Sequence, residues 1–166
     1  MLTNPSEIAV PNLNDPERLL IWSIREWVIC VIRAKDPIPK LIEGFSKVLI
    51  QEAVMPFNKI MRTISYSSSL PIDIKCHCSN LIGRTEIDLL CLIAIIQNKL
   101  PFDLDRIIKI YNKQYHMDML KQSNKFVESL NRAEIIVPVR NEFLNQYQKN
   151  KNEICNNIIY YNFRKN

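Results

Sequence analysis

Thr85-Glu86-Ile87-Asp88-Leu89-Leu90-Cys91-Leu92-Ile93-Ala94-Ile95-Ile96-Gln97 is the stretch on which the fold turns. It opens like a helix: Thr85 can cap, and Glu86 and Asp88 fall in the first turn, where the helix dipole favours negative charge. From Leu89 to Ile96 no residue is polar. A helix wound from such a run has no side to turn toward water, so it belongs inside a protein. The run is far short of the ~20 residues that cross a bilayer. Leu100-Pro101 then stops it. The segment is therefore expected to be a central post shielded on all sides by other helices.

Working toward the N-terminus, residues 72–84 hold Cys76-His77-Cys78 and Gly83 and read as irregular. Ser65-Tyr66-Ser67-Ser68-Ser69-Leu70-Pro71 has loop composition, and a hinge is expected at 65–74. Before it, Leu41, Ile42, Phe45, Val48, Leu49 and Ala53 recur at helical spacing from Pro39 onward. Pro56 is expected to end or kink that helix, and Phe57, Ile60, Met61 and Ile64 to continue as a third. Asp15-Pro16-Glu17 is a helix start, with Asp15 as cap, and the helix should run to about Lys35 before Asp36-Pro37. Its apolar residues cover most of the circumference. Arg18, Arg25, Glu26 and Arg33 are left as one polar stripe.

Toward the C-terminus, Leu104, Ile107, Ile108 and Tyr111 share a face in a helix expected over 103–112. Met117, Leu120, Val127 and Leu130 line the inner side of another over 115–132. Ile135-Ile136-Val137-Pro138-Val139 is β-branched, but proline keeps it out of any central strand. The sum is an all-α fold: an irregular or orthogonal bundle of five to seven helices, with at most one short β segment near 134–139. Residues 1–14 form a flexible lead-in, 15–148 a single helical domain, and 149–166 a basic tail rich in Asn and Lys.

Composition excludes several function classes. Gly44 and Gly83 are the only glycines of the 166 residues. Loops that cradle phosphates need several positions of close backbone approach, so neither a dinucleotide fingerprint nor a P-loop can be written here. The net charge is +5. Lys149, Lys151, Arg164 and Lys165 stand against Glu153 in the tail, which accounts for much of the excess. The five cysteines are an odd number, two of them within apolar segments, and no basic-then-apolar leader opens the chain. These features fit a reducing cytosol.

Three readings of function follow. The first is a small cytoplasmic helical protein without catalysis that acts on a protein partner. It rests on the lack of any nucleophile–base–orienter set. His77 and His116 are the only histidines, and His116 suits a structural role at a helix start. The second is a helix-turn-helix-like module over 85–132 that binds nucleic acid through Lys113, Lys121, Lys125 and Arg132. Against it, acidic and basic side chains balance over 86–148. The third is a metal or thiol site built on Cys76, His77 and Cys78. Zinc is the cofactor such ligands would hold, with Cys91 or His116 completing the set. The C-x-C spacing is shorter than the usual zinc loops. Lys75 is the nearby charge that would favour a thiolate.

Overall fold

The computed structural model describes residues 9–147, so the tail and most of the lead-in lie outside the described residues. The architecture is all-α, with seven helices and no sheet among the described residues. They are α1 (Asp15–Ile32), α2 (Ile38–Lys47), α3 (Val54–Ser67), α4 (Arg84–Gln97), α5 (Asp105–Ile108), α6 (His116–Arg132) and α7 (141–147).

Helix α4 is the expected post. Every residue from Thr85 to Ile95 is buried. It packs against α6, α1 and α5. The most extensive helix pairing is between α3 and α6. Arg132 of α6 meets Glu52, just before α3, at 3.1 Å. At the other end Tyr66 of α3 lies edge-on to Tyr115, with ring centroids 5.0 Å apart. The two helices therefore run antiparallel. Phe45 of α2, Phe57 of α3 and Phe126 of α6 meet beneath them, with centroids 5.5 to 6.0 Å apart. Such contacts add about 0.5–1.5 kcal/mol each beyond the area they bury.

Helix starts differ from expectation by one or two residues, for local reasons. Asn14, not Asp15, caps α1: its side chain accepts from the Glu17 amide at 3.1 Å, and Glu17 accepts the Asn14 amide at 2.9 Å. At α4 the cap is Gly83, whose amide donates to Glu86 at 2.5 Å. Thr85 is diverted and accepts from the Asp73 amide. Pro56 neither ends nor kinks a helix. It sits in the first turn of α3, where no backbone donor is required.

The helix predicted over 103–112 shrinks to the single turn of α5. Beyond it the backbone turns away to bond the end of α3: Ser69 N–H donates to Ile110 O at 2.7 Å and Asn112 N–H to Ser67 O at 2.9 Å. The same bonds fix one end of the proposed hinge. Residues 65–67 complete α3. The Asp73 carboxylate accepts the Arg84 amide at 2.8 Å and so holds the other end. Residues 134–139 form no strand. Val137 N–H donates to the Gln97 side chain instead, and the Val137 carbonyl accepts from Asn98.

Both glycines are points of close approach within the protein. A methyl group on Gly44 would stand 2.1 Å from the Trp22 ring, and one on Gly83 would stand 2.2 Å from the Asp73 carbonyl oxygen.

Candidate functional site

Four sequence-predicted cations lie on or beside α6. Lys113, Lys121, Lys125 and Arg132 are all exposed. Arg132 is neutralised by Glu52. The other three have no acidic partner among the described residues. The antiparallel register sets α3 alongside them and adds two cations that sequence reasoning missed, Lys59 and Arg62. Both are exposed and neither has an acidic partner among the described residues. Lys59 and Arg62 lie on the stretch of α3 between Glu52 and Tyr66, and Lys121 and Lys125 on the stretch of α6 between Tyr115 and Arg132, so the antiparallel pairing sets the two stretches alongside each other. Asp118 and Glu128 are the acidic side chains exposed on α6, and Asp118 accepts from Gln122 at 3.1 Å. Over α3, α6 and the Lys113–Tyr115 turn, five exposed cations without an acidic partner among the described residues stand against two exposed carboxylates, a positive excess. Tyr66, 57% exposed, offers an accessible aromatic ring at one end.

The helix-turn-helix unit around these residues does not form. Its middle helix is one turn long, and the turn before α6 is a 3-10 segment, Lys113–Tyr115. A tri-helical reading module needs a full helix there to seat the last one in a groove. His116 donates its Nε2–H to the Tyr111 carbonyl at 2.9 Å, which is the structural role expected of it.

Cys76 and Cys78 are joined by a disulfide, with Cα atoms 5.4 Å apart. Both are exposed. The expected ligand set is not gathered: no group of three or more His, Cys, Asp or Glu among the described residues could hold a metal. His77 turns to Glu26 of α1, with its Nε2 3.2 Å from the carboxylate. Lys75 pairs with Asp73 at 2.7 Å rather than with a sulfur. Cys91, the proposed fourth ligand, is buried within α4. Loop closure over so few residues contributes only about 1.5 kcal/mol to stability.

Three buried polar joints escaped the sequence reading. Arg25, assigned to a polar stripe, is 4% exposed. It bonds Glu86 at 2.6 and 3.3 Å, Ser79 O at 2.8 Å and Leu81 O at 2.7 Å. Glu17 receives Arg140, which also donates to Asn12 O at 3.1 Å. Asp88 receives Arg84 at 2.9 Å and the Tyr147 hydroxyl. Burial pushes the Asp88 carboxyl above the usual carboxylate range despite Arg84. It also raises the Cys91 thiol to about 12, with the Asp88 charge adding to the effect. The Tyr111 and Tyr147 phenols move up for the same two reasons. One sign was available in the sequence: an acid three residues into an otherwise apolar helix needs a cation from a neighbouring element.

A shallow, open depression of about 370 Å³ lies between α1 and α2, floored by Trp22 and Gly44 and rimmed by Glu26, Lys40, Glu43 and Lys47. Lys40 and Lys47 both pair with Glu43. Its charged rim is therefore internally neutralised and offers a ligand little.

Compared with known proteins, the chain matches no family, no curated protein and no solved structure at a significant level.

Proposed function

We propose that this chain is a nucleic-acid-binding protein that uses the α3–α6 face to hold a phosphate backbone. The carrying observation is that Lys59, Arg62, Lys113, Lys121 and Lys125 have no acidic partner among the described residues, while most other surface cations are paired. Cations left unpaired along two antiparallel helices present a row of charge, and a phosphate backbone presents the matching row. Lysine, a compact point charge, suits phosphate contact without base readout. The exposed Tyr66 ring can stack an unpaired base, which favours a single strand over a duplex. The basic tail, 149–166, adds charge of the same sign. The protein-partner reading rests on the lack of a nucleophile–base–orienter set, and the charge pattern fits a polyanion better.

The test is binding of the full chain to a labelled single-stranded oligonucleotide across salt. Five phosphate contacts give a slope of log K against log salt of about −3.5 for a single strand. Lys59→Glu with Lys125→Glu should flatten that slope by about 1.4. No retention at about 50 mM salt would overturn the proposal. So would equal affinity for an acidic polypeptide.

A further inference from the structure

We propose that the Cys76–Cys78 pair is a thiol–disulfide exchange site that oxidises dithiols on a peptide or protein substrate. The bond sits in an exposed loop, open to an attacking thiolate. The loop does not depend on it for shape. Arg25, anchored on Glu86 in the core, donates to the carbonyls of Ser79 and Leu81 on one side. The Val10 amide donates to Asn80 O at 2.6 Å, and Lys75 with Asp73 holds the other side. The disulfide links residues two apart, so it ties no distant elements together. A cross-link that leaves fold and loop anchored when it opens can cycle. The two cysteines not in a bond among the described residues, Cys30 and Cys91, are buried and stay out of the exchange.

The step balances as follows. A substrate thiolate attacks one loop sulfur and forms a mixed disulfide. The Cys76–Cys78 bond breaks, and its electron pair leaves on the other cysteine, which takes a proton from water. The second substrate thiol, deprotonated to solvent, attacks the mixed disulfide and releases the remaining loop thiolate. The substrate loses two electrons and two protons as its disulfide forms, and the loop gains them as two thiols. Glutathione disulfide regenerates the loop bond, leaving two molecules of glutathione. His77, tethered by Glu26 between the two cysteines in sequence, is a positioning residue for the loop.

The full chain is incubated with a fluorescent dithiol peptide in a glutathione disulfide buffer. The expected result is peptide oxidation at least tenfold faster than with the Cys76→Ser, Cys78→Ser double variant. Equal rates overturn the proposal. The fold of the double variant is checked by circular dichroism. If it is lost, the single variant Cys78→Ser decides, with a single-thiol form of the peptide: Cys76, first joined to glutathione by the glutathione disulfide of the buffer, should exchange glutathione for the peptide thiol and hold the peptide as an adduct seen by mass spectrometry. An adduct absent, or found on Cys155 instead, overturns it.

Discussion

Among the described residues, four other than glycine adopt the left-handed conformation: Ala34, Leu49, Lys99 and Glu134, with φ between 50° and 61°. Each lies just past the end of a long helix, and each end is closed by a bond reaching back five residues, from Lys35 to Cys30, Ile50 to Phe45, Leu100 to Ile95 and Ile135 to Leu130. This is the helix ending that glycine usually supplies. A chain with two glycines, both committed to close packing, makes it with ordinary residues at a conformational cost. Leu49 is 84% exposed, so replacing it loses little burial. Leu49→Gly should stabilise the protein by about 0.5–1 kcal/mol, read from the urea midpoint. Gly44→Ala should do the reverse. Helix propensity favours alanine by up to about 1 kcal/mol, but the clash with Trp22 should cost about 1–3 kcal/mol and win. The sequence announced the scarcity of glycine and what it excludes. It did not announce where each glycine presses, because close approach depends on partners distant in the chain.

Among the elements, helices with a strong apolar pattern were legible in type and in rough extent. The apolar run of α4 left no alternative to the interior. α5 was misread because its apolar residues are buried equally well by a single turn followed by bonds to the end of α3. Spacing alone cannot separate those outcomes. The buried joints were invisible for a related reason: Arg25 looks like any surface arginine until Glu86 is placed against it. Removing one partner of that pair leaves an unpaired buried charge. Arg25→Met should therefore cost about 3–5 kcal/mol in urea unfolding. The double variant Arg25→Met, Glu86→Leu should be more stable than Arg25→Met alone. Additive losses would show that the pair does not act as a unit.

For the whole molecule, the buried acidic groups give stability a direction in pH. The Cys91 thiol holds its proton to about 12 in the native state. In the unfolded chain it loses that proton near 8.5. The stability that this thiol contributes is thus fully present below about pH 8.5 and is lost as pH rises toward 12, since the unfolded state binds fewer protons there. The slope from this one group approaches about 1.4 kcal/mol per pH unit. Urea midpoints between about pH 8 and 9.5 should decline, and Cys91→Ala, though less stable throughout, should show a shallower decline. An unchanged slope in that variant would remove Cys91 as the cause.

Function was the least legible level. Lys113, Lys121 and Lys125 could be picked out along one helix, but their balance against Asp118 and Glu128 looked neutral. Only the pairing of α3 with α6 brings Lys59 and Arg62 alongside that helix, and no spacing rule carries that information between helices. The central claim is that this shared face holds nucleic acid. Its most direct test is backbone amide chemical-shift mapping of the full chain on titration with a single-stranded oligonucleotide at low salt. The account predicts shifts concentrated at 59–66 and 113–125. Shifts centred instead on the α1–α2 depression around Trp22, or none at all, would contradict it.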